Sequence, residues 1–184
     1  MNLPNRLTLL RVALIPVFLL FFFLLFPGHY FWALAVFIAA SFTDLLDGRI
    51  ARSRNLITDF GKFMDPLADK LLVVSALVCL MSCAVAPALV VIILISREFL
   101  VTSLRLVAAP KGLVIAADRW GKYKTVSQMV WISAALLLLS LGDMGVAVPG
   151  ARIFNAVCMG IVTALTLISG VNYLWKNREV LKDC

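Results

Sequence analysis

Six apolar runs, each near the roughly 20 residues that carry a helix across a lipid bilayer, constrain this chain more than any other feature. They fall at about 8–26, 31–52, 65–86, 88–109, 122–141 and 152–175. Breaks come at Pro27-Gly28, around Gly61, at Pro87, at Pro110-Lys111-Gly112 and from Gly142 to Gly150, the punctuation that marks turns. A backbone in lipid must satisfy its own hydrogen bonds, so such runs become helices that bundle together. With 62% apolar residues and a mean hydropathy of +1.01, the chain lies well above the roughly half-apolar make-up of a soluble domain. The 184 residues leave room for one unit over 1–184 and no separate soluble domain. The expected fold class is an all-α integral membrane protein, a six-transmembrane-helix bundle. The first run follows Arg6 and Arg11 and ends at Phe26-Pro27 without a small-residue cleavage site, so it reads as a retained helix. The polar start Asn2-Leu3-Pro4-Asn5-Arg6 reads as a cap or a short N-terminal interfacial segment.

Charge fixes the expected orientation. With the N-terminus in the cytoplasm, six spans return the C-terminus there. Of the 17 Lys and Arg, every one except Arg152 then falls on the cytoplasmic side, as the positive-inside rule requires. The net charge of +7 sits at the ends of the apolar runs, which suits an anionic leaflet. No aromatic-interleaved basic stripe suits nucleic acid.

Intramembrane acids are costly and mark function. Here they gather at one level. Asp44 and Asp47 are three residues apart, and Asp65 and Asp69 four apart, so each pair shares a helix face. Converging carboxylates repel at low dielectric and need a cation among them. Hard oxygen ligands suit Mg²⁺, Mn²⁺ or Ca²⁺, and two such ions can clamp a diphosphate. Gly48 and Ala51 leave space beside the first pair, Gly61 reads as a tight turn, and Pro66 reads as a helix start with Asp65 near the cap. Asp59 reads as a solvated loop residue.

Other polar residues carry less. The single histidine, His29, lies in a Pro-Gly-His turn and reads as solvated, which leaves no triad or histidine-held zinc. Cys79 and Cys83 read as small apolar filler. Trp32, Trp120, Trp131 and Trp175 read as interfacial anchors. Asn155, Gly160, Thr163, Thr166, Ser169 and Gly170 read as close helix packing.

The string Asp44-x2-Asp47-Gly48-x2-Ala51-Arg52-x8-Gly61-x3-Asp65-x3-Asp69 resembles the signature of the CDP-alcohol phosphotransferases. That family is described as six-helix, dimeric, metal-dependent membrane enzymes. The resemblance implies Mg²⁺ or Mn²⁺, two ions, held by Asp44, Asp47, Asp65 and Asp69, with Asp69 also taking the acceptor's proton. It implies a CDP-binding region at Gly48, Ala51, Arg52, Thr58 and Gly61, approached by Asn5 and Thr8. It further implies a homodimer in the bacterial cytoplasmic membrane with its active site facing the cytoplasm.

The start Asn2-Leu-Pro-Asn-Arg-Leu-Thr-Leu-Leu-Arg11, the stretch Ser96-Arg97-Glu98-Phe99 with Arg105, and Gly121-Lys122-Tyr-Lys124-Thr125-x2-Gln128 look like the branch of that family that moves a phosphatidyl group from CDP-diacylglycerol to glycerol 3-phosphate. An acceptor that is itself a phosphate monoester needs cations, and Arg97, Arg105, Lys122 and Lys124 can supply them. Glu98, Thr102 and Arg105 share a helix face. The same frame also suits serine, inositol phosphate or phosphatidylglycerol as acceptor. An intramembrane prenyltransferase and a divalent-cation transporter are the readings from other classes.

Overall fold

The computed structural model of the chain describes residues 3–54, 59–108 and 118–178, with the side chains of 3–7, 44–54, 59–66 and 69 outside that description. Six helices follow one another: α1 Leu3–Phe23, α2 His29–Arg54, α3 Asp59–Ser82, α4 Ala88–Ala108, α5 Arg119–Asp143 and α6 Ala151–Lys176. All lie within a few residues of the apolar runs, because the runs are long and their breaks are strong. The ends differ where polar residues continue a helix. α1 already begins at Leu3, so the polar start joins the first helix and makes no separate interfacial segment from that point on. α3 begins at Asp59. Gly61, Asp65 and Pro66 therefore lie inside a helix and not at a turn or a start, and Asp59 is helical. Pro66 removes one N–H from the helical ladder, yet the helix runs on to Ser82.

α1 packs along α2 and α3, α2 also meets α5, and α6 packs against α4 and α5. The main core holds Phe18, Phe37, Leu72, Leu80, Leu94, Trp131, Ile132 and Val162, all nearly inaccessible. The outward faces carry Leu20, Phe23, Ile92, Leu106, Val130, Ile153 and Val171, all well exposed. The interior meanwhile holds Thr8, Arg11, Lys124, Gln128, Thr166 and Ser169. An apolar outside with polar groups turned inward is the distribution that suits a lipid surround. α5 and α6 are long and apolar enough to cross a membrane, and Thr8–Phe23, His29–Thr43 and Lys70–Ser82 are shorter apolar helical stretches. In lipid, close packing and internal hydrogen bonds hold helices together, since tails are as apolar as leucine.

Two nodes at the end away from the aspartates do this. Trp131 Nε1–H donates to Asn155 Oδ1 at 2.9 Å, and Asn155 Nδ2 donates to the Val85 carbonyl at 2.9 Å. This ties α5 and α6 to the α3–α4 turn. Trp131, 1% exposed, is thus a core residue and not an interfacial anchor, because its ring meets Asn155 across the bundle. In the second node the Gly28 N–H donates to Asp143 Oδ2 at 2.7 Å, joining the α1–α2 turn to the end of α5. Gly28 takes φ +79°, the left-handed region that a side chain would strain. His29 is buried and not solvated. Its Nδ1 lies 3.1 Å from the Phe22 carbonyl, and its Nε2 lies 3.9 Å from Asp143 Oδ1. Cys79, Cys83 and Cys158 are free thiols.

Candidate active site

Antiparallel neighbours bring three helix ends together. The start of α1, the end of α2 and the start of α3 lie at one end of the bundle, since α1 and α2 turn at 24–28 and α2 leads into α3 through 55–58. Asp44, Asp47, Gly48, Ala51 and Arg52 lie in the last turns of α2, and Gly61, Asp65 and Asp69 in the first turns of α3. Asn5 and Thr8 lie in the first two turns of α1. The backbone thus carries every one of these residues to the same end. Their side chains lie outside the described set, apart from that of Thr8, which is 1% exposed. Thr58 lies outside the described residues altogether. Among described side chains no group of three or more His, Cys, Asp or Glu is placed to hold a metal. The four aspartates are an all-oxygen donor set on two successive helices, the chemistry that hard divalent cations prefer. Arg11, one turn beyond Thr8, is also fully buried. An inward-facing arginine at that depth is a second sign of an anionic interior.

Beside this end lies a cleft of about 460 Å³ between α4, α5 and α6. Arg97, Arg105 and Lys122 line it, together with Lys70, which follows Asp69 directly in α3. The cleft therefore opens next to the turn that carries the second aspartate pair. Glu98, Thr102, Asp118 and Tyr173 complete its polar wall.

The cations are held in place. Arg97 Nη2 donates to Ser169 Oγ on α6, and its Nη1 lies 3.5 Å from Glu98 Oε1. Its Nε is buried without a hydrogen-bond partner. The side chain passes over two glycines: a Cβ on Gly121 would come within 3.2 Å of Nη2, and one on Gly170 within 3.4 Å of Cγ. Arg105 Nε–H donates to Tyr173 Oη at 3.1 Å, with the guanidinium carbon 5.7 Å from the ring centroid, a cation–π distance. Lys122 is exposed at the rim.

Lys124 goes elsewhere. Its side chain is 1% exposed and its ammonium donates to Glu98 Oε1. It joins α5 to α4 behind the cleft wall and does not line the cleft. The reason is rotational: Lys122 and Lys124 are two residues apart on a helix, so they face different ways. At the mouth, Asp118 precedes α5 and accepts hydrogen bonds from Lys176 Nζ at 3.0 Å and from Asn172 Nδ2. The Lys176 hydrogen bond, with its charge and the Asn172 donor, holds the Asp118 carboxyl below the usual carboxylate range.

Ser169, Asn172, Tyr173 and Asp118 have no place in the residue patterns that mark the site in the sequence. The available signal is the spacing of Ser169, Asn172, Tyr173 and Lys176, which puts four polar residues on one stripe of an otherwise apolar helix.

Comparison with known proteins shows the family. The family model described as CDP-alcohol phosphatidyltransferase matches residues 1–171. A protein of Bacillus subtilis (strain 168) named CDP-diacylglycerol–glycerol-3-phosphate 3-phosphatidyltransferase is 45% identical, covering 98% of this chain and 97% of its own length. A protein of the same name from Rickettsia bellii (strain RML369-C) is 37% identical over 94% of this chain and 93% of its own. A probable phosphatidylglycerophosphate synthase of Mycobacterium tuberculosis (strain ATCC 25618 / H37Rv) is 42% identical over 94% and 80%. With the aspartate frame intact on α2 and α3 and the match running over nearly its whole length, the chain belongs to the CDP-alcohol phosphatidyltransferase family.

Proposed function

We propose that this enzyme transfers the phosphatidyl group of CDP-diacylglycerol to the hydroxyl of glycerol 3-phosphate, giving phosphatidylglycerol phosphate and CMP. The observation that carries the acceptor is the cleft of Arg97, Arg105 and Lys122 that opens beside Lys70, the neighbour of Asp69. An acceptor bearing a phosphate dianion needs fixed cations, and guanidinium groups match its oxygens. Serine would not. The relatives' names support the same substrate pair.

In this reading all six helices span the cytoplasmic membrane, both termini and the site face the cytoplasm, and the enzyme works as a homodimer. Asn5, Thr8, Gly48, Ala51, Arg52, Thr58 and Gly61 surround the CDP group while the acyl tails stay in the bilayer. Asp44, Asp47, Asp65 and Asp69 would hold Mg²⁺ or Mn²⁺, which would supply positive charge against the diphosphate. Asp69 accepts the proton of the glycerol 3-phosphate hydroxyl. That oxygen forms the new bond to the phosphatidyl phosphorus, and the bond from phosphorus to the CMP oxygen breaks with its electron pair leaving on CMP. Arg97, Arg105 and Lys122 fix the acceptor's phosphate so that its hydroxyl is presented in line. Positioning and fixed charge do most of such work.

Purified enzyme in detergent with CDP-diacylglycerol, Mg²⁺ and a panel of acceptors tests this through CMP release. Release with glycerol 3-phosphate alone, abolished by EDTA, is the expected result. Release with serine, inositol phosphate or phosphatidylglycerol instead would replace the acceptor.

A further inference from the structure

We infer that the last helix orients the acceptor site: Ser169 and Tyr173 are positioning residues that hold Arg97 and Arg105 in the poses that receive the phosphate of the incoming alcohol. The inference rests on the reading of the cleft as the acceptor-phosphate site.

Arginine side chains are long and lose much rotamer freedom when fixed. A cleft that must grip a phosphate in one orientation gains if that freedom is already gone before the ligand arrives. Here each arginine has its own holder on α6. Ser169 Oγ accepts from Arg97 Nη2, and Tyr173 Oη accepts from Arg105 Nε at 3.1 Å while its ring lies under the guanidinium. The two arginines are two turns apart on α4, whereas Ser169 and Tyr173 are one turn apart on α6. The short serine reaches the near arginine and the long tyrosine makes up the extra turn at the far one. Both holders are buried, Ser169 at 1% and Tyr173 at 2%, so water does not compete for them.

The neighbouring positions serve the same end. Gly121 and Gly170 leave the passage that Arg97 fills. Asn172 and Lys176, on the same stripe, hold Asp118 and keep this acid of the cleft wall engaged. Helix α6 thus contributes no charged group of its own to Arg97 or Arg105, yet it sets the direction of both.

The test is steady-state kinetics of Ser169→Ala, Tyr173→Phe and Gly121→Ala in detergent with CDP-diacylglycerol and Mg²⁺. Each should raise the KM for glycerol 3-phosphate about tenfold, the scale of one charge-assisted hydrogen bond. The kcat and the KM for CDP-diacylglycerol should stay within about twofold, and Ser169→Thr should restore the acceptor KM. An unchanged acceptor KM in Ser169→Ala and Tyr173→Phe overturns the inference. So does a parallel fall of kcat, both KM values and the unfolding temperature, which would mark a purely structural role. The unmodified enzyme tests the underlying reading separately. If it releases CMP only with an uncharged acceptor, reading and inference both fall. If it uses a different phosphorylated acceptor, the acceptor KM of the variants toward that compound decides the inference.

Discussion

Glu98 and Lys124 illustrate how one side chain's surroundings decide its role. Lys124 was expected among the cleft cations, yet its ammonium is buried on Glu98. Breaking a buried pair by removing one partner costs about 3–5 kcal/mol. Glu98→Gln should therefore lower the unfolding temperature sharply, whereas Arg105→Ala, at an exposed site, should leave it nearly unchanged and raise the acceptor KM. Thermal unfolding in detergent beside acceptor titrations separates the two. Asp69→Asn should abolish turnover while CDP-diacylglycerol binding persists; appreciable CMP release by that variant would remove Asp69 from the role of base. The sequence placed each aspartate pair within one turn of helix, and the structure carries both pairs on helical backbone at one end of the bundle. Lys124 was not, because a cleft cation and a buried partner differ only in which way the helix is turned, and that depends on α4.

Among the elements, the helices were legible from long apolar runs and strong breaks. What escaped were features made by contacts between runs. Trp131 and His29 read as surface residues because nothing nearby in sequence shows that Asn155 meets Trp131 from α6 or that Asp143 lies beside His29 from the end of α5. Asn155→Leu would leave the Trp131 N–H and the Val85 carbonyl without their partner, at about 1–3 kcal/mol for a buried group. The expected result is a lower unfolding temperature with an unchanged acceptor KM, since this node lies at the opposite end from the cleft. The tie from Asp118 to α6 makes a different prediction. Its carboxyl is held below the ordinary aspartate pKa of about 3.9, first by the Lys176 hydrogen bond. The stabilisation is therefore fully present above that value and is lost as pH falls through the lower, folded one. The difference in unfolding temperature between the native protein and Asp118→Asn should stay constant from pH 7 to about 5 and shrink only below about pH 4. A difference that shrinks near neutrality would contradict it.

At the scale of the whole molecule, the apolar outside and polar inside suit a lipid surround, and the placement of the basic residues carries the proposed topology. Arg152 is the lone basic residue among those assigned to the far face. A cysteine placed at Val146, in a background without the native thiols, should react with an impermeant reagent from outside the cell, and one at Lys182 only after permeabilisation. Labelling of both from the same side would reverse the six-span reading. Membership of the CDP-alcohol family removes the prenyltransferase and transporter alternatives.

The cleft is walled by α4, α5 and α6, with only Lys70 coming from α3, while the aspartate frame belongs to α2 and α3. Under the proposed function, donor and acceptor are therefore held by different parts of the bundle. Initial rates measured against both substrates should give the intersecting lines of a sequential scheme and not the parallel lines of a ping-pong one. With the site facing the cytoplasm as proposed, a small phosphorylated inhibitor would reach its half of the enzyme from water, with no need to pass through lipid and no need to resemble the lipid donor.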